Sequence, residues 1–259
     1  MKSEQEPEIE IRHCDTIDEF KDCVELEKIT WGPYITVPTS IFVVALHTGG
    51  QILGAYEGKK MVGFTLAMAG KHDGDLFLHS HMTAVIPEYQ DRGIGRRLKL
   101  FQRQDALKNG YREVEWTYDP LEMKNARFNI VRLGAVARRF IPNCYGITDS
   151  PVHAGLPTDR LVAEWWLDSE RVRNILAGKS QPVGKRAVRL SLPADIVKLK
   201  AEDRAAGELV QTAMRDEFQK RFAKGYVVTS VEFSEKTADY VLEPSGEIAG
   251  LELPQIREH

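Results

Sequence analysis

The stretch Val85-Ile86-Pro87-Glu88-Tyr89-Gln90-Asp91-Arg92-Gly93-Ile94-Gly95-Arg96-Arg97-Leu98 constrains this chain more than any other. A strand-like run, Leu76 to Val85, enters it, and a helix-like run, Ile94 to Asn109, leaves it. Between the two lie glycines one residue apart, with Arg92 and Arg96 on either side. Unpaired backbone N–H groups gather at the start of such a helix, where the dipole is positive and phosphate binds readily. Gly93 and Gly95 let the backbone come close to a ligand, and the two arginines add charge-assisted hydrogen bonds. Glycine spacing alone is more often the mark of a plain strand-to-helix turn with solvated arginines.

The loop does not fit a nucleotide fold. A dinucleotide fingerprint needs a third glycine where Leu98 stands and a preceding βαβ unit, and no stretch has the Lys-Ser/Thr pair of the mononucleotide loop. With 259 residues and a formal net charge of −3, nucleic acid and anionic membrane are not expected partners. No apolar run reaches the roughly 20 residues that span a bilayer. The polar, acidic start, Met1 to Pro7, is unlike a signal peptide. Cys14, Cys23 and Cys144 have no metal-ligand spacing, so no metal site is expected, and they read as reduced thiols of a cytoplasmic protein.

Taken in order, the pattern predicts a strand around Ile9 and Ile11, a helix capped by Asp15 or Thr16, and a second helix from Ser40 to His47. Strands at Ile52 to Tyr56 and Met61 to Ala69 precede the one entering the central loop. After the loop helix, Val114, Trp116 and Tyr118 alternate with Glu113, Glu115 and Thr117 as a strand, and Asn125 to Leu133 suits a helix ended by Gly134. Two further strands, Ala135 to Ile141 and Leu161 to Leu167, flank a long loop from Pro142 to Asp159. Residues 169–185 read as a short helix and linker. Residues 186–259 read as a small α+β domain with one strand, a charged helical stretch and two more strands.

Val85-x-Pro87-x-Tyr89 followed by Gln90-x-x-Gly93-x-Gly95 resembles the acetyl-coenzyme A signature of the GNAT superfamily of N-acyltransferases. The order strand, loop, helix, strand, helix agrees over roughly residues 8–168. Asp119-Pro120-Leu121, Asn125-Ala126, Phe128-Asn129, Leu133-Gly134-Ala135 and Pro142-Asn143-Cys144-Tyr145-Gly146 look like a larger, two-part subgroup of predicted acyltransferases. The resemblance implies an α/β (α+β) fold with a mixed, mostly antiparallel central sheet flanked by helices, here with the small C-terminal domain appended. It implies a first domain at 1–168, which binds acyl-CoA and moves an acetyl or succinyl group to a primary amine by direct attack. An amino acid or similar small metabolite is the first-choice acceptor. A coenzyme A-binding regulatory module and a protein or peptide acetyltransferase are the alternatives. Homo-oligomerisation is compatible with this reading and not demanded by it.

The same resemblance assigns Gln90, Asp91, Arg92, Gly93, Ile94, Gly95 and Arg96 to the pyrophosphate, and the bulged entering strand at Met82, Thr83, Ala84 and Val85 to the pantetheine arm and thioester oxygen. Asn125 and Asn129 could contact the cofactor arm. His79 lies eleven residues before Gln90, where some members carry a catalytic glutamate. His79 and His81 are two apart, so both face one side of the sheet, with Leu78, Ser80 and Met82 on the other. A histidine is neutral near pH 7 and suits a base that takes the amine proton, directly or through water. The family's usual tyrosine acid is replaced here by Ile130 and its usual asparagine by Met123, leaving Tyr145 and Tyr118 as substitute donors. Arg127, Arg132, Arg138 and Arg139 read as a solvated basic face, or as a grip for a substrate carboxylate.

Overall fold

The computed structural model describes residues 8–33, 35–72, 74–147 and 155–255. They form two compact units, Met1–Val114 and Glu115–His259, with the division inside strand β5 (Glu113–Tyr118). Among the described residues no helix is long and apolar enough to cross a membrane.

In the first unit, β1 (Ile9–His13), β2 (Gln51–Glu57), β3 (Lys60–His72) and β4 (Asp75–Val85) form an antiparallel sheet in chain order. Between β1 and β2 run α1 (Ile17–Trp31) and α2 (Thr39–His47). Thr16 starts α1 with a capping box: its side chain accepts from the N–H of Glu19, whose carboxylate accepts from the Thr16 N–H. After β4, a short 3-10 turn (Pro87–Tyr89) leads to α3 (Ile94–Lys108).

The two sheet faces carry different chemistry. Phe20 of α1 stacks on Phe42 of α2, with ring centroids 5.7 Å apart, and Phe42 meets Phe64 of β3 at 6.3 Å. Phe64 therefore faces α1 and α2, and Leu66 and Met68 follow it at the strand period of two. Thr65 and Ala67 take the opposite face. Lys99 of α3 reaches that face, donating to Ser80, which stands opposite Ala67.

In the second unit the sheet order is β5, β7 (Arg160–Trp166), β6 (Val136–Ile141), β9 (Tyr226–Phe233), β10 (Thr237–Pro244) and β8 (Val188–Pro193). β6 pairs antiparallel with β7 and with β9. α4 (Met123–Arg127) follows β5 and continues into a π-helical turn, Phe128–Arg132. α5 (Glu170–Leu176), α6 (Ile196–Glu202) and α7 (Arg204–Phe222) complete the unit. The seam expected at residues 169–185 lies inside this unit, where β9 beyond the seam pairs with β6 before it. The charged helical stretch also divides in two, because Asp203 leaves helical geometry and caps α7 through the Ala206 N–H.

Candidate functional site

On the first unit the site is built at the end of β4 and the start of α3. Leu66 of β3 pairs with Met82 and Ala67 pairs with Ser80, so His81 is an extra residue on β4. A β-bulge of this kind interrupts the ladder and re-aims the side chains around it. It also corrects the regular-strand reading of the faces. Directly opposed residues share a face, and His79 opposes Met68 while Met82 opposes Leu66. His79 and Met82 therefore stand on the same side, that of α1 and α2, because the bulge resets the alternation. Ser80 and Thr83 lie on the α3 side with Ala67 and Thr65. The bulge falls at His81–Met82, just upstream of Thr83, Ala84 and Val85. Ala84 is buried, and Val85 gives its carbonyl to the Gln90 side chain at 2.9 Å.

The imidazoles of His79 and His81 are 6.4 Å apart between centroids. His81 is exposed at the surface, yet protein atoms crowd its ring. That desolvation, with the charge of a protonated His79, lowers its pKa. His81 is thus held in the neutral form that accepts a proton.

Gly93 adopts the left-handed conformation at the N-cap of α3, with φ of 77°. The first internal hydrogen bond of the helix runs from the Arg97 N–H to the Gly93 carbonyl. The N–H groups of Ile94, Gly95 and Arg96 precede it, and no acidic side chain occupies the first turn. Gly95 is ordinary helix, where glycine costs about 1 kcal/mol relative to alanine. A Cβ built on it, or on Gly93, meets no protein atom within 4 Å. Packing therefore does not require Gly95, and the open space in front of it suits a ligand that comes close to the backbone. Arg92 lies over the Tyr89 ring, 4.9 Å from its centroid, and Tyr89 donates to Glu57 at 2.6 Å. Gln90 turns its amide back to Val85, bracing the loop from within, while Asp91 is exposed with φ of 59°. The cradle is made of backbone, with Arg96 half-buried beside it.

Sequence reasoning missed what lies beneath the bulge. The Lys99 ammonium, 3% exposed, donates to Ser80 Oγ at 3.1 Å and to Gln102 Oε1 at 2.6 Å. Burial pushes its pKa down to about 7. Thr65 Oγ1 lies 3.5 Å from Ser80 Oγ, donates to the Met82 carbonyl at 2.9 Å, and lies 2.8 Å from Thr83 Oγ1. The signal was available, since Lys99 follows Leu98 on the stripe that buries Ile94, Leu98, Gln102 and Ala106. Glu27 of α1 was missed too. It is fully buried, with Oε2 accepting from the Val37 N–H at 2.7 Å and Oε1 unpartnered. Burial raises its pKa to about 7 against the opposing pull of that N–H.

On the second unit, Asn125 is exposed and Asn129 is buried, so the two do not form one open edge of α4 and its π-helical turn. Tyr118 is buried and its hydroxyl is enclosed beside Tyr240; burial raises its pKa. It is not an accessible donor. Tyr145 is 51% exposed, with its hydroxyl 3.0 Å from Thr117 Oγ1 and Arg160 over its ring. The rest of its loop is only partly described, since residues 148–154 of the expected 142–159 loop lie outside the described residues. Arg138 and Arg139 depart from the solvated-face expectation. Arg138 is buried and Arg139 half-buried, both bind Glu164, and Arg139 also binds Glu115. Their charge is consumed inside the sheet. Arg127 and Arg132 remain exposed.

A four-stranded antiparallel sheet whose last strand bulges and then feeds a glycine-lined helix N-terminus is the arrangement that the GNAT resemblance implies. The comparisons agree. Residues 10–128 match the model of the acetyltransferase (GNAT) family. No curated protein sequence matches the chain significantly. Solved structures with a similar fold include the ribosomal-protein-S18-alanine N-acetyltransferase from Escherichia coli, at TM-score 0.50 and 16% identity over 61% of this chain and 92% of that one. Arabidopsis thaliana NAA60 in complex with acetyl-CoA gives 0.50 and 12% over 61% and 99%. Salmonella typhimurium yncA with its cofactor acetyl-CoA gives 0.50 and 18% over 62% and 94%.

Proposed function

We propose that the protein is an acyl-CoA-dependent N-acyltransferase that moves an acetyl group, or a succinyl group, to the primary amine of an amino acid or similar small metabolite. The observation that carries this reading is the pairing of the β4 bulge with the open glycine cradle on one rigid sheet–helix unit. Acyl-CoA supplies an activated acyl group as its thioester. The N–H groups of Ile94, Gly95 and Arg96, with Arg96 beside them, hold the pyrophosphate. The backbone around Met82, freed from the ladder by the extra residue, donates to the thioester carbonyl and to the pantetheine arm. No covalent enzyme intermediate is needed, because the amine attacks the positioned carbonyl directly.

His81 accepts the amine proton. It sits in the bulge itself, it is exposed, and its lowered pKa keeps it neutral. His79, whose ring centroid lies 6.4 Å from that of His81, is the second candidate and the electrostatic neighbour that tunes it. Tyr145 is the remaining tyrosine donor for the departing thiolate. The thiolate is also a fair leaving group without an acid, and the usual acid position is the buried Ile130. The buried thiols Cys14 and Cys23 suit the reducing cytoplasm.

The test is release of free thiol from acetyl-CoA and succinyl-CoA against a panel of amino acids, amines and peptides. The reading expects release with a small amine and a marked preference for one acyl donor. Release with peptides alone would transfer the reading to a protein acetyltransferase. Tight coenzyme A binding without release anywhere would make the protein a binding module instead.

A further inference from the structure

α3 does two things at once. Its first turn forms the glycine cradle, and one turn further on it buries a lysine under the strand that bulges. Helix packing does not call for that lysine, since a leucine or methionine would fill the space without the cost of dehydrating an ammonium. Its contacts show where it acts. Lys99 Nζ donates to Ser80 Oγ at 3.1 Å, and Ser80 immediately precedes the bulge residue His81. Ser80 Oγ is within 3.5 Å of Thr65 Oγ1, and Thr65 donates its one hydroxyl hydrogen to the Met82 carbonyl. The Thr83 hydroxyl, 2.8 Å from Thr65 Oγ1, must then be the donor between those two. Lys99, Ser80, Thr65 and Thr83 thus hold the backbone on both sides of His81 from the α3 side of the sheet. Gln102 holds Lys99 in place at 2.6 Å.

We propose that Lys99 is a positioning residue for acyl transfer, acting through Ser80 and Thr65 to fix the β4 bulge. The helix that grips the pyrophosphate thereby also sets the backbone that receives the thioester. This inference rests on the acyl-CoA reading above. A bulge is a soft point in a sheet, because its residues have lost part of their ladder. Catalytic backbone donors need placement within a fraction of an ångström, and the side-chain chain supplies what the ladder no longer gives.

The experiment combines steady-state kinetics, coenzyme A calorimetry and backbone amide hydrogen exchange on the full chain. Ser80→Ala is the main variant, because it removes one hydroxyl and leaves Lys99 and the cradle intact. The expected result is a fall in kcat of about ten-fold or more, with coenzyme A affinity within about two-fold of wild type. Ser80→Thr keeps the hydroxyl and should restore most of the rate. Lys99→Met should match Ser80→Ala, and the double variant should be no worse than the weaker single, since both cut one chain of contacts. Amides 80–84 should slow their exchange when coenzyme A binds wild type, and slow less in Ser80→Ala. Wild-type kcat in Ser80→Ala, or a loss of rate matched by equal losses of affinity and melting temperature, would overturn the proposal. If wild type binds coenzyme A but turns over nothing in the panel, the exchange comparison decides alone. If wild type does not bind coenzyme A, the acyl-CoA reading falls and takes this inference with it.

Discussion

Glu27 shows how a single buried carboxylate reports on its surroundings. One oxygen tethers the connector between α1 and α2 through the Val37 N–H, and the other has no partner. Its folded pKa, about 7, lies above the roughly 4.3 of an unfolded glutamate. The folded state therefore holds the extra proton between those values, and stability falls as pH rises through that window. Glu27→Gln keeps an acceptor for Val37 without a charge. It should exceed wild type in stability by about 1–3 kcal/mol at pH 8, with the gap closing toward pH 4. Urea unfolding at the two pH values measures this, and a gap that widens on acidification would refute the assignment. His81 gives the second prediction at this scale. Its lowered pKa means the competent neutral form is complete at pH 7.5 and is lost by protonation below its pKa. kcat/KM should fall about ten-fold per pH unit on the acid side of that pKa, and the limb should vanish in His81→Ala along with at least about 100-fold of the rate. An unchanged acid limb in that variant would move the base elsewhere, to His79 first.

At the scale of elements, periodicity and caps were readable and strand irregularities were not. Thr16 with Glu19, Ser169 before α5, and the run from Ile94 to Lys108 announce their helices by residue type. Residue type does not place the bulge: the resemblance implied one at Met82 to Val85, but its position at His81 arises from how β3 and β4 pair, and that pairing decides which face Met82 takes. Likewise Arg138 and Arg139 look like a solvated basic run until β7 supplies Glu164 and β5 supplies Glu115. Charge partners that are distant in sequence cannot be read from spacing. The link from α6 to the segment after β5 is of the same kind. Lys200 is buried and meets Glu122 at 2.7 Å and Asp119 at 3.3 Å. Burial lowers its pKa, but the two carboxylates outweigh burial and leave it raised. Lys200→Met strands two carboxylates and should cost about 3 kcal/mol or more at pH 7. Chemical denaturation checks this; a cost below about 0.5 kcal/mol would mean the pair is solvated in practice.

At the scale of the molecule, the strand-to-helix turn at Gly93 and Gly95 was legible from residue type, and its assignment to a cofactor came from the resemblance. The domain boundary was not legible. The polar, glycine-containing segment 178–184 looks like a linker, but the residues on either side of it belong to one unit. β9 pairs with β6, and Val136 packs with Val227, Ile248 and Leu251. A chain ended at residue 185 would expose the edge of β6 and that cluster, so it should aggregate or fail to melt cooperatively. A soluble, cooperative product would instead restore the separate C-terminal domain. The central claim, that the glycine cradle holds the pyrophosphate of acyl-CoA, is tested most directly by titrating acetyl-CoA into wild type and Gly95→Val by calorimetry. The backbone here is helical and a Cβ at this position has open space around it, so the fold should persist in the valine variant. The account predicts saturable binding to wild type, weakened at least about 100-fold (about 2.7 kcal/mol) in the folded variant. Equal affinities, or no binding to wild type, would contradict it.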